Sequence, residues 1–453
     1  MSDLVGRDLR HLWHPCSQMR DYEAFPPLEI VGAQGCHLHL KDGRKIIDAV
    51  SSWWCKSLGH GHPRLRAALS RQMERFEHVI LANTTHDVIV ELSERLASLA
   101  PGLTRVFYAG DGSTAVEVAV KMALHAKKIQ GTGESRFLAL ENGYHGETAL
   151  TLALGDLGLY REAYRELLPP VSFLRGLPYV DSEAHPLWAD CSPVWPALEA
   201  QLETNLAGLC AVVIEPILQG AGGMRFYSAD FLRRLRAWTR ERGVYLIADE
   251  ILTGFGRTGT RLACDHAGIA ADIVCLSKGL TAGWLPMSAV LVSEDIYGLF
   301  YGDYGHGRDF LHSNTFAGNA LAAAVALEAL NVYRDEDILG QVGRNQPVLA
   351  AALGRVARDT GRLKNLRCLG AVAAAELVLP ASGAAASASG AVASASGAGA
   401  RTGFRVYQEA VARGALLRTL GDTVYWLLPL NAGPEVVSEL ESITTASIRA
   451  VLG

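Results

Sequence analysis

The sequence predicts an α/β protein, with a large domain built on a mostly parallel sheet and a small α+β domain drawn from both chain ends. Three observations predict it. From about Leu65 to Leu330, apolar strand-like runs alternate with longer helical patterns, which is how a parallel sheet with crossover helices reads in a sequence. Two of those runs end on Asp249 and Lys278, and in an open parallel sheet the carboxyl ends of the strands are where ligands bind. The chain ends lack this alternation. Cys36-His37-Leu38-His39-Leu40 alternates like a half-exposed strand before an Asp42-Gly43 turn. The expected division is residues 1–60 and 335–453 for the small domain and 61–334 for the large one.

The strand-like runs follow in order as Arg105–Tyr108, Arg136–Leu140, Cys210–Ile214, Val244–Ala248 and Asp272–Ser277. Helical patterns fall between them at Ala115–Lys128 and Asp230–Arg242. Near the end, strand-like Ala373–Val378 and helical Gly403–Arg413 flank Ala381–Ala400, which is alanine, serine and glycine except for Val392. That segment reads as a flexible insertion.

Composition bounds the function. Of 453 residues, 49% are hydrophobic and 20% charged, with mean hydropathy +0.14. That balance fits a large core and a substantial subunit interface. A net charge of −5 makes no electrostatic case for nucleic acid or acidic membranes. No apolar run suits a membrane span, and the charged start, Met1 to Arg10, predicts no signal peptide. Eight scattered cysteines contain no CxxC pair, so neither a zinc site nor a disulfide framework is expected. Free thiols in a reducing cytoplasm follow.

Taken alone, an acid and a lysine at strand ends could be a buried ion pair. Their setting favours chemistry. Between them lies Gly254-Phe255-Gly256-Arg257-Thr258-Gly259, too irregular for a helix or strand. The pair suits pyridoxal phosphate, with Lys278 forming the Schiff base and Asp249 keeping the pyridine nitrogen protonated. Upstream, Gly110-Asp111-Gly112-Ser113-Thr114 opens a helical pattern. Small residues there let backbone N–H groups reach a phosphate, although a simple helix cap would look similar. Tyr144, in Gly143-Tyr144-His145-Gly146 after the Arg136 run, can stack on a cofactor ring.

The ordered set Leu246-Ile247-Ala248-Asp249-Glu250, Gly254 to Gly259 and Ser277-Lys278-Gly279 resembles the class III aminotransferases. The resemblance implies a fold type I, pyridoxal-phosphate-dependent transferase. It implies a homodimer with active sites shared between subunits. Gly112 and Ser113 match the phosphate-binding pair, and Tyr144 the aromatic before His-Gly. In His312-Ser313-Asn314-Thr315-Phe316, Thr315 matches the residue that reaches the partner's cofactor phosphate, and Ser313 a substrate contact.

Four further segments narrow the resemblance. They are His11-Leu12-Trp13-His14-Pro15, Ser51-Ser52-Trp53-Trp54 with Gly59-His60-Gly61-His62-Pro63, Glu215 to Met224, and Leu417 to Asp422 with Tyr425 beyond. They are similar to members that aminate 7-keto-8-aminopelargonate, with S-adenosylmethionine as amino donor, in biotin biosynthesis. The residues suit that acceptor, a long aliphatic chain ending in a carboxylate. The paired Trp53 and Trp54 supply apolar, cation-tolerant walls, one of them at the substrate and the other in core packing, with Trp53 as the substrate contact. Arg418 supplies a bidentate carboxylate partner, with Tyr425 alongside. Cys16 stands where many members carry an aromatic associated with the donor, so lysine is the second candidate donor. An ω-amino acid or diamine aminotransferase of the same class is the alternative function.

Overall fold

The structure is a computed structural model that describes residues 3–379 and 401–453. The Ala381–Ala400 insertion lies outside the described residues. A seven-stranded sheet forms the centre, from β1 (Leu103–Ala109), β2 (Arg136–Leu140), β3 (Ser172–Leu174), β4 (Leu209–Ile214), β5 (Tyr245–Asp249), β6 (Ile273–Leu276) and β7 (Ser288–Ser293). The spatial order is β1-β7-β6-β5-β4-β2-β3. Only β7 runs against the rest, antiparallel to both β6 and β1. The sheet is therefore mostly parallel, as the sequence pattern predicted.

Every residue of β4 and β6 is buried, because helices cover both faces of the sheet. On one face α1 (Gly112–Gln130) packs Val116 and Val120 with Val213, Ile247, Ile273 and Val290. On the other, α2 (Ala229–Glu241) brings Phe231 and Leu235 to Leu246, Ala248 and Val274. Successive β5 residues thus serve opposite cores, as strand pleating requires. Both helices begin where the chain supplies a cap. The Asp111 carboxylate accepts from Thr114 N–H at 3.0 Å, and Ser228 Oγ accepts from Phe231 N–H at 3.1 Å. The sequence placed the start of α1 three residues late, because Gly112 and Ser113 carry no apolar periodicity.

Three antiparallel three-stranded sheets accompany this body among the described residues, a small one of Tyr179–Val180, Arg225–Tyr227 and Leu218–Gln219 and two built from the chain ends. Of the latter two, one spans Ile30–Gln34, His37–Leu40 and Lys45–Ile47; the other spans Leu363–Leu369, Val372–Leu377 and Thr423–Trp426. The chain ends meet through their backbones. Ile47 N–H donates to Gly414 O at 2.8 Å, and Leu416 N–H donates to Ile47 O at 2.7 Å. Cys36, Ile47 and Ala49 share one apolar cluster with Val406, Trp426 and Leu440.

The glycine-rich turn after β5 packs against the C-terminal sheet. Buried Arg257 donates to Leu428 O at 2.7 Å, and Ala371 N–H donates to Arg257 O at 3.0 Å. A Cβ at Gly370 would lie 2.3 Å from Thr258 C, so only glycine permits this approach. Burial holds the Arg257 guanidinium down to about 10.

Candidate active site

The carboxyl ends of β1, β2, β4, β5 and β6 surround a cavity of about 200 Å³. Asp249 closes β5, while Lys278 follows β6 by two residues. Tyr144 and His145 follow β2, Glu215 follows β4, and Gly112 and Ser113 open α1 after β1. The site is where the strand ends of an open parallel sheet place a ligand.

Asp249 is 4% exposed. Its Oδ2 lies 2.8 Å from His145 Nδ1, and its Oδ1 accepts from Ile251 N–H at 3.1 Å. Burial presses His145 toward its neutral form, but the bond to Asp249 and the charges of Asp249 and Glu215 outweigh it and raise its pKa. Glu215 accepts from Tyr144 N–H at 2.9 Å and Gly220 N–H at 3.0 Å. Burial pushes its carboxyl up to about 7, against the opposing effect of His145.

Lys278 has a backbone φ of 39°, in the left-handed region, a strained conformation of the kind that clusters at functional sites. Its Nζ lies 4.9 Å from the Trp54 ring centroid. It has no hydrogen-bond or ion-pair partner among the described residues. Burial lowers its pKa, although Asp249 and Glu215 oppose the shift. A buried amine biased toward its neutral form is a nucleophile and a base.

The cavity fits pyridoxal phosphate. The donor set is an unpaired amine, a buried carboxylate and the N–H groups that begin a helix of 19 residues, the last an anion site by geometry and dipole. The cradle is kept open by glycine. A Cβ would lie 3.0 Å from Ile251 Cδ1 at Gly112, and 2.1 Å from Ser113 Oγ at Gly146, where φ is 127°. The buried Nε2 of His145 also has no partner among the described residues.

A second cavity of about 440 Å³ shares Trp54, Tyr144 and Lys278 with the first. Val50, Ala221, Leu416 and Leu420 make it apolar, and Arg418 and Glu147 give it one charge of each sign. The Arg418 guanidinium lies 4.8 Å from the Trp53 ring centroid and donates to Cys16 O at 2.8 Å. No carboxylate pairs with Arg418 among the described residues. Glu147 accepts from Tyr144 Oη at 3.1 Å and from Cys16 Sγ at 3.9 Å. Burial, then Glu147, raises the pKa of both Cys16 and Tyr144.

The two tryptophans divide their work. Trp53 is 48% exposed and faces Arg418, whereas Trp54 is 7% exposed and lies beside Lys278. Trp54 Nε1 donates to Tyr425 Oη at 3.1 Å, which holds Tyr425 in the cavity wall.

Gly112, Ser113, Tyr144, Asp249 and Lys278 therefore meet in the smaller cavity, and Trp53, Tyr144, Lys278, Arg418 and Tyr425 in the larger. Ser313 and Thr315 do not join them; both are exposed on a loop outside the two cavities. Sequence reasoning gave no role to His145, Glu215 or Glu147, and read Trp53 and Trp54 only as a pair of walls, one of them in core packing. Glu215 directly follows a strand-like run that ends at Ile214, so the rule that flagged Asp249 could have flagged it, whereas His145 lies five residues past Leu140 in the loop that carries Tyr144.

The family described as Aminotransferase class-III matches residues 18–442. The chain is 38% identical to adenosylmethionine-8-amino-7-oxononanoate aminotransferase of Synechococcus elongatus, over 96% of this chain and 97% of that protein. It is 35% identical to the same-named protein of Helicobacter pylori, over 94% and 93% respectively. Among solved structures, the enzyme of that name from Methanocaldococcus jannaschii superposes with a TM-score of 0.88 at 27% identity, covering 99% of each chain. A pyridoxal-phosphate-bound amine transaminase from an uncultivated Pseudomonas species gives 0.86 at 28% identity, covering 97% of this chain and 99% of that one.

Proposed function

The chain belongs to the class III aminotransferases, which use pyridoxal phosphate, and we propose that it converts 7-keto-8-aminopelargonate to 7,8-diaminopelargonate in biotin biosynthesis. One observation carries this reading. The lysine cavity shares Trp54, Tyr144 and Lys278 with a larger, mainly apolar cavity whose guanidinium has no carboxylate partner among the described residues, which suits an aliphatic chain ending in a carboxylate. The relatives named for the same acceptor support it.

Bound pyridoxal phosphate supplies an electron sink for the carbanion left when a proton leaves the amine-bearing carbon. Lys278 would carry the cofactor, Asp249 would keep its ring nitrogen protonated, and the α1 N–H groups at Gly112 and Ser113 would take its phosphate. Lys278 is then the group that removes and returns the proton at the amine-bearing carbon. His145 holds the Asp249 carboxylate in one orientation. Arg418 binds the acceptor's carboxylate while Trp53 walls its chain. Donor and acceptor would use the same cavity in turn, the arrangement a ping-pong reaction needs.

S-adenosylmethionine is the proposed amino donor. Cys16 removes one aromatic, but Trp53, Trp54, Tyr144, Tyr160, Tyr407 and Tyr425 still line the larger cavity, and aromatic faces receive a sulfonium well. The test is a donor screen with the keto-acid present. Single-turnover loss of the cofactor's visible absorption with S-adenosylmethionine, followed by recovery with keto-acid, is expected. Fast conversion by lysine alone would refute the donor.

The enzyme is proposed to be a homodimer. The loop carrying Thr315 exposes Tyr301, Tyr304, Leu311 and Phe316, each more than two-thirds uncovered. An apolar patch of that kind suits burial by a second copy, with Thr315 entering the partner's site. No helix among the described residues is long and apolar enough to cross a membrane. All eight cysteines are free, which supports a reducing cytoplasm.

A further inference from the structure

The two tryptophans stand on a backbone that should not hold itself. Ser51, Ser52, Trp53 and Trp54 all have positive φ, at 48°, 45°, 68° and 72°. Trp54 N–H donates to Val50 O at 2.8 Å and Cys55 N–H to Ser51 O at 3.0 Å, so the segment is one left-handed helical turn. L-residues avoid that hand because Cβ crowds the following carbonyl. No glycine relieves it here. Such a turn persists only where its surroundings over-determine it.

Asp48 provides that constraint. It is 1% exposed. Its Oδ1 accepts from Ser52 N–H at 2.9 Å, and its Oδ2 accepts from Ser52 Oγ at 2.6 Å and lies 2.9 Å from His60 Nε2. Both of its own flanks are fixed. Asp48 N–H donates to Cys36 O at 2.8 Å. His60 is tied by its backbone to Gly35, with N–H to O distances of 2.8 and 2.9 Å in the two directions. The strand and the His60 loop are pressed so close that a Cβ at Gly59 would lie 2.8 Å from Gly35 O.

We propose that Asp48 is a positioning residue. Its buried carboxylate, steadied by His60, winds the left-handed turn through Ser52 and so sets Trp53 against Arg418 and Trp54 beside Lys278. Neither Asp48 nor His60 lines either cavity, so the pair acts through the turn. Ser51 Oγ, which donates to Leu427 O at 2.6 Å, secures the other end.

The inference rests on the larger cavity being the acceptor site, and its test separates the two. In the holoenzyme, Asp48→Ala is expected to raise the KM for 7-keto-8-aminopelargonate by about tenfold, with a smaller change in kcat. The near-ultraviolet circular dichroism of tryptophan should change with it, a readout that needs no substrate. Leu353→Ala, in the C-terminal cluster, is the control; it should lower the melting temperature with KM and the tryptophan signal unchanged. An unmoved KM and tryptophan signal in Asp48→Ala would overturn the proposal, as would an equal KM rise in Leu353→Ala. If wild type fails to use the keto-acid, the acceptor reading falls while the tryptophan signal still tests Asp48. Should Asp48→Ala not fold, His60→Ala, at a residue outside both cavities, removes the contact that steadies the carboxylate. A smaller KM rise with the same spectral change then supports the role, and no change in either refutes it.

Discussion

His145 Nδ1 lies 2.8 Å from Asp249 Oδ2, with both side chains buried. A carboxylate bonded on one oxygen by imidazole and on the other by Ile251 N–H has one orientation left. The same contact raises the His145 pKa against the effect of burial. A site built this way holds its charge in place before any ligand arrives.

Asp249→Asn should keep the fold and lower transamination by about two orders of magnitude. A neutral amide cannot hold the pyridinium proton, so the ring stops accepting electrons. Near-wild-type turnover with cofactor bound would contradict the role.

Lys278→Ala should abolish transamination. In wild type, borohydride should fix the cofactor to Lys278, read by peptide mass. Attachment to another lysine would sink the assignment.

Burial of Lys278 also has a pH consequence. Its folded pKa is lowered from the ordinary 10.5 by burial, against the opposing effects of Asp249 and Glu215. Between the two values the unfolded chain binds more protons, so this group's contribution to stability rises with pH. Below the folded pKa the full cost of a buried charge is present. Cofactor-free Lys278→Met should therefore melt above wild type at neutral pH, with the gap closing as pH rises toward 10.5. A gap independent of pH would show that the ammonium is not the cause.

Arg418→Ala should weaken the keto-acid half-reaction far more than the donor half-reaction. A charge-assisted contact to carboxylate contributes about 1.5–3 kcal/mol. Equal loss in both half-reactions, measured by single turnover, would make Arg418 a structural residue that merely holds the Cys16 carbonyl.

Cys16→Tyr should strengthen S-adenosylmethionine binding with keto-acid affinity unchanged. Cys16 already has φ 48°, so tyrosine inherits the backbone strain instead of adding to it. The ring would meet Glu147 and Tyr160, which neighbour the thiol now. Unchanged donor affinity by calorimetry would show that the missing aromatic does not limit binding.

Sequence by itself determined the large sheet and its chemistry. The apolar runs that became β2, β4, β5 and β6 are local patterns, and the positions of Asp249 and Lys278 at or just past strand ends follow from where those runs stop. The small residues around Gly112 marked a helix start where backbone could reach a phosphate, whereas the collisions a side chain would meet at Gly112 and Gly146 are set by the fold. Tertiary structure alone decided which tryptophan faces Arg418 and which lies beside Lys278. That choice rests on a left-handed turn, a hand no periodicity in Ser51-Ser52-Trp53-Trp54 encodes. It also rests on partners far along the chain: Trp54 on Tyr425, 371 residues away, and Arg418 on Cys16, 402 away. Asp249 finds His145 across 104 residues in the same way. Contacts between distant residues leave no repeating signal in either segment, because hydrogen-bond geometry is set by how packed elements meet and not by the spacing of residues within them.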